Sequence, residues 1–172
     1  MNAPVPEHET ERLAALRGLD ILDTPPELAF DELSALAAFV CQTPIALISL
    51  VDEDRQWFKS RVGGTAGETP REVAFCAHAI LQPDLLVVPD ARADERFATN
   101  PLVTSPPGIR FYAGAPLVTA EGHALGTLCV LDHKPRDLSA EQIRALRALS
   151  HQVMAQLRLQ NNWRSRPAPT PR

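Results

Sequence analysis

Apolar side chains recur along this chain with several different spacings. Between Glu7 and Leu22, the leucines at 13, 16, 19 and 22 return every third residue among Glu, Arg and Ala, which predicts a helix with one apolar stripe. Asp23-Thr24-Pro25-Pro26-Glu27 should end it, because paired prolines suit a helix start and not a helix middle. A second helix is predicted from about Glu27 to Cys41, with Leu28, Leu33, Leu36 and Val40 on one face. The pattern then changes. Pro44 to Val51 (PIALISLV) is apolar at every second position on both faces, as in a strand buried in mid-sheet. After the turn at Asp52-Glu53-Asp54, Arg55 to Val62 should pair back on it as a more exposed strand, with Gln56, Phe58, Ser60 and Val62 on one face.

Further along, Ala74 to Leu81 predicts a short helix and Leu85 to Val88 a short strand closed by Pro89. Residues 90–108 form a long polar, proline-containing loop with one helical turn expected at Asp94 to Ala98; loops of this length are usually functional. Ile109 to Val118 and Ala124 to Asp132 are the last strands, with Pro116 at a bulge or an unpaired position. The final helix starts at a capping box, Ser139 with Gln142, and runs to about Trp163. At about 24 residues and roughly 36 Å it is longer than a small sheet can cover, so its far half should pair with the first helix and with a second copy of the chain. The element order predicts an α+β fold: an antiparallel sheet of five or six strands covered by helices.

Composition narrows the function classes. With 172 residues, 45% apolar and 22% charged, the chain suits one globular domain and excludes a collagen-like or disulfide-scaffold protein. A net charge of -4 without a basic run gives no sign of a nucleic-acid partner or of binding to an anionic membrane. No apolar run approaches the roughly 20 residues that span a bilayer, and the first residues carry neither a positive leader nor an apolar core, so no secretory signal is expected. Three widely spaced cysteines, Cys41, Cys76 and Cys129, fit a reduced, cytoplasmic protein. Residues 1–8 and 164–172, rich in proline, are expected to be disordered tails or linkers around a domain at 9–163.

Several long stretches together resemble a GAF domain: ILDTPPE (Ile21 to Glu27), ISLVDEDRQWFKSRVG (Ile48 to Gly63), ETPREVAFCAHAI (Glu68 to Ile80), VVPDARADERFATNPLV (Val87 to Val103) and GIRFYAGAPLVTAEGHALGTLCVLD (Gly108 to Asp132). The similarity is to the subgroup that bacteria place before histidine kinase and diguanylate cyclase modules. It implies a sensory signal-transduction module with a small-molecule pocket on one face of the sheet. The N- and C-terminal helices would pack on the other face and often form a homodimer. Such a chain is not itself an enzyme, although it can regulate an attached one. Because the family binds very different ligands, membership leaves the ligand and any cofactor open.

The residues assigned to the pocket are Trp57, Cys76, His78, Asp90, Arg96, Phe97, Asn100, Arg110, Tyr112 and Thr127. Asp90, Arg92, Asp94, Arg96 and Asn100, beside Arg110 and Tyr112, can bind a small polar or anionic ligand with Phe97 and Phe111 shielding it. The same polar groups can instead tie the long loop to the sheet. In relatives a cysteine next to a histidine attaches a bilin, but Ala77 separates Cys76 from His78, and two helical positions are about 200° apart. Haem on His78 is a further option. Some relatives reduce free methionine sulfoxide with clustered cysteines; here Cys41 should lie on the far side and Cys129 in a central strand, which speaks against a relay. No metal-ligand spacing, phosphate loop or cyclic-nucleotide signature of the family is found.

Overall fold

A computed structural model describes residues 2–64 and 66–169. Met1 and residues 170–172, the outer ends of the two expected tails, lie outside the described residues. Six strands form one antiparallel sheet: β1 (Ile45–Val51), β2 (Arg55–Val62), β3 (Glu68–Pro70), β4 (Leu86–Val88), β5 (Phe111–Val118) and β6 (Ala124–Asp132), in the order β3-β2-β1-β6-β5-β4. Helices α1 (Glu9–Gly18), α2 (Leu28–Cys41) and α5 (Ala140–Arg164) cover one face, and the short helices α3 (Phe75–Ala79) and α4 (Pro101–Thr104) lie over the other. The architecture is the α+β arrangement expected from the pattern.

β1 shows why the central run is apolar apart from Ser49. Ala46, Ile48 and Leu50 point into the core beneath α2 and α5, while Ile45, Leu47 and Val51 point to the opposite face. The β1–β2 hairpin forms, but its alternation is broken: Ile48 pairs with Ser60 and Ser49 with Phe58, leaving Lys59 as the extra residue of a bulge. Ser60 therefore does not share a face with Phe58. It turns to the helices and meets Ser34 at 2.6 Å and Asp31 at 2.7 Å. Lys59, which its charge would place in water, is buried, and its ammonium reaches Glu27 at 2.5 Å, Thr24 at 2.8 Å and the Pro25 carbonyl at 2.7 Å.

Two helices depart from expectation. α1 stops at Gly18 because Asp20 (φ 50°) and Asp23 (φ 62°) take left-handed conformations, so Ile21 and Leu22 enter the core from a turn. α2 packs through Phe30, Ser34, Ala37, Ala38 and Cys41, whereas Leu28 and Leu36 face outward. The small side chains let the helix lie close to the sheet, and the Ser34–Ser60 hydrogen bond forms there. The capping box at Ser139 and Gln142 is present, and α5 packs along α2 rather than along α1. Arg136 and Gln142 donate to the carbonyls of Cys41 and Val40, serving the open C-terminus of α2. Pro116 lies just past the end of the β4 ladder, which stops at Gly114, and the register shift falls one residue later. No helix among the described residues is long and apolar enough to cross a membrane.

Candidate functional site

On the face opposite the long helices, the sheet, Gly64, Ala66 and the two short helices border a cavity of about 420 Å³. Ile45 and Leu47 from β1, Ile109 before β5, Leu131 from β6, and Phe58 and Leu102 give it apolar walls. No Lys, Arg, His, Asp or Glu side chain lines it among the described residues. Its polar groups are Gln56, Thr69, Tyr112 and the thiols of Cys76 and Cys129, and most are already paired within the protein. Ser49 donates to Gln56 Oε1 at 2.8 Å, and Gln56 Nε2 donates to Thr69 Oγ1 at 2.9 Å.

Strand alternation and one helical turn build the floor. β6 turns Thr127, Cys129 and Leu131 to this face, β5 turns Tyr112, and α3 lowers Cys76 onto them. Cys76 Sγ lies 3.0 Å from Thr127 Oγ1 and 3.9 Å from Cys129 Sγ, and it accepts a hydrogen bond from the Tyr112 hydroxyl at 3.2 Å. Gly114 makes room for that hydroxyl, since a Cβ there would stand 2.2 Å from it. Both sulfurs are nearly closed to solvent, with exposures of 2% for Cys76 and 0% for Cys129. Burial works against a charge on Cys76, but the Cys129 thiol and the hydroxyls of Thr127, Tyr112 and Ser49 outweigh it and lower the group from 9.0 to about 7. Cys129 moves the other way, raised by burial and by its neighbour Cys76. Cys41, in the core on the helix side, is pushed up by burial to about 11.

Of the residues assigned from sequence, Cys76 and Tyr112 line the cavity and Thr127 sits directly beneath Cys76. Phe97 is buried behind them, stacked on Phe75 at 4.3 Å and edge-on to His78 at 4.8 Å. His78 is thus held against Phe97, while Cys76 faces the sheet. Trp57 lies in the core on the opposite face, as does Phe111, so neither flanks the cavity. Alternation separates the two faces of a strand but does not say which one the helices cover.

The polar loop residues are likewise engaged elsewhere. Asp90 caps the turn at 91–93 through the Arg92 N–H at 3.1 Å. Arg96 pairs with Asp94 at 2.6 Å, Asn100 caps α4 and donates to the Val73 carbonyl at 3.0 Å, and Arg110 donates to the Val103 carbonyl at 2.8 Å. None of these four borders the cavity.

The cysteines need a correction. Cys129 sits in a central strand as expected, yet its side chain meets Cys76 on the cavity side, so two of the three sulfurs are close together. Gln56, Phe58 and Leu131 were also missed, although the two-sided apolar run of β1 and the pattern of β6 carried a signal for a covered second face. No group of three or more His, Cys, Asp or Glu side chains suited to a metal ion occurs among the described residues.

Comparison with known proteins agrees with the fold. The family profile described as GAF domain matches residues 25–157. A cyclic di-GMP phosphodiesterase of Pseudomonas aeruginosa, PA2567, is 46% identical over 155 residues, which cover 90% of this chain and 26% of that protein. Among solved structures, the GAF domain of an Acinetobacter phosphoenolpyruvate-protein phosphotransferase superposes with a TM-score of 0.63 at 18% identity, covering 91% of this chain and 98% of that one. The free methionine-R-sulfoxide reductase of Neisseria meningitidis, solved with its substrate, gives a TM-score of 0.63 at 12% identity, over 95% of this chain and 98% of that one. At these identities the two structures share the fold alone.

Proposed function

The chain belongs to the GAF family, and on that premise we propose that it is a regulatory module, without catalytic chemistry of its own, whose cavity takes a small, uncharged, largely apolar molecule. The observation that carries this is the wall of the cavity. A buried charge is tolerated only when it is paired, and among the described residues no cationic side chain lines the cavity to pair with an anion. The group most ready to ionise, the Cys76 thiol, would add a negative charge and repel anions further. The size, about 420 Å³, lies within the roughly 300–1,000 Å³ range of small-molecule sites.

Binding would reach an output module through α1, α2 and α5 on the far face of the sheet. The relative from Pseudomonas aeruginosa is named as an enzyme of cyclic di-GMP, and the chain spans only 26% of its length. A cyclic di-GMP enzyme, a diguanylate cyclase or a histidine kinase is the proposed class of partner, in the cytoplasm. Leu28, Leu36 and Phe39 on α2, with Leu159 and Trp163 on α5, stand exposed on the outer side of the helices and are proposed to meet a second copy of the chain.

The test is a calorimetric titration at pH 7 with two molecules of the same ring size, 1-naphthalenemethanol and 1-naphthoate. The neutral alcohol is expected to bind at least about ten-fold more tightly, since the carboxylate loses its hydration without gaining a partner. Leu131→Phe, which fills the cavity, should weaken the alcohol. Preference for the carboxylate would overturn the ligand class, and binding of neither would overturn the cavity as a ligand site.

A further inference from the structure

The two thiols at the floor of the cavity have no place in the binding of an apolar ligand. They come from elements 53 residues apart in sequence, the short helix α3 and the central strand β6. Both border the cavity, but Cys129 is closed even to a water molecule there and Cys76 nearly so, at 2% exposure, so a small solute in the cavity meets Cys76 first, as the floor yields.

We infer that Cys76 and Cys129 form an oxidation site, in which a small hydroperoxide that enters the cavity converts the two thiols into an intramolecular disulfide. In the first step the Cys76 sulfur attacks the terminal peroxide oxygen and the O–O bond breaks. The products are a sulfenic acid on Cys76 and an alcohol, or water when the oxidant is hydrogen peroxide. In the second step the Cys129 sulfur attacks the Cys76 sulfur, the S–O bond breaks and water leaves. The peroxide gains two electrons, the two sulfurs lose one each, and both thiol protons depart in the alcohol and the water.

Geometry assigns the roles. Cys76 is the attacking sulfur because the hydroxyls of Thr127, at 3.0 Å, and Tyr112, at 3.2 Å, surround it and can hold a thiolate. Cys129 is the resolving sulfur, 3.9 Å away. The lowering of Cys76 and the raising of Cys129 agree with this division. A disulfide of about 2.05 Å needs an approach of about 1.9 Å from the present separation. The strand is fixed between two neighbours, so the movement falls on α3, five residues long and attached through loops. Closure therefore draws α3 toward the sheet and reshapes the cavity floor. Cys41 lies on the other face of the sheet and is the internal control.

The experiment uses the intact chain, reduced and then exposed to hydrogen peroxide. Remaining thiols are alkylated with N-ethylmaleimide after denaturation, and intact mass is followed by peptide mapping. The expected product is about 2 Da lighter before alkylation, carries one maleimide on Cys41, yields a Cys76–Cys129 crosslinked peptide and is restored by dithiothreitol. In Cys129→Ser the same treatment should leave a sulfenic acid on Cys76 that dimedone traps, while Cys41→Ser should still form the disulfide. Three alkylated thiols after peroxide, a crosslink that includes Cys41, or oxidation of Cys76 to sulfinic acid with Cys129 still free would each overturn the proposal. The wild-type mapping decides it even if a variant fails to fold, and naphthalenemethanol binding by the reduced protein stands or falls separately.

Discussion

Glu9, the first residue of α1, lies between two guanidinium groups. Arg12 holds both of its oxygens at 2.8 Å, and Arg71, which also donates to the Asp52 carbonyl, reaches it from the segment just before α3. Burial opposes the charge, but the two arginines outweigh it and lower the carboxyl from 4.5 to about 2. Its folded pKa is thus below its unfolded one, so the pair stabilises the fold above pH 4.5 and loses that contribution as pH falls toward 2. The full effect is on the order of 3 kcal/mol at most. Urea unfolding should find Glu9→Gln less stable than wild type at pH 6, with the gap narrowing steadily as pH falls from 4.5 toward 2. An unchanged gap across that range contradicts the assignment. Residues of this kind were hard to read in advance. Cys76, Tyr112 and Cys129 all stand in stretches that resemble the family, but the pairing of Cys129 with Cys76 follows only once β6 and α3 are brought together from 53 residues apart. Trp57 looked like a pocket residue because its strand was right and its side of the sheet was not decided by alternation.

The elements themselves were largely legible. The β1–β2 hairpin follows from two strand patterns separated by an acidic turn, and the start of α5 from Ser139 and Gln142. The packing face of α2 was not, because a count of large apolar side chains selects Leu28 and Leu36 while the helix packs through Ser34, Ala37 and Ala38. What that packing leaves outside is a set of apolar side chains, with Phe39 80% and Trp163 71% exposed. If a second copy covers it, sedimentation at tens of micromolar should show a dimer, and Phe39→Glu combined with Leu159→Glu should give a folded monomer. A monomeric wild type at that concentration removes α2 and α5 as the self-association surface.

For the whole molecule, the sheet divides two tasks. One face carries the long helices and the larger core, and the other carries the cavity, the thiol pair and the short helices. Arg71 joins the two levels, since its guanidinium ties α1 to the chain segment that leads into α3. A change at the cavity floor thus has a short physical route to the N-terminal helix, a coupling that needs a ligand with different affinity for the two states. The polar side chains of the long 90–108 loop cap its own turns and tie it to Val73 and Arg110, while its apolar residues Leu102 and Pro107 line the cavity. The proposed occupant of that cavity is a neutral molecule. Methyl NMR of the reduced protein during addition of 1-naphthalenemethanol tests it most directly. Resonances of Leu47, Ile109 and Leu131 should shift in a saturable manner while those of Ile48 and Leu128, on the helix side of the same strands, stay in place. Shifts confined to Leu36 and Leu159 on the outer helices, or none at Leu47, Ile109 and Leu131, would contradict it.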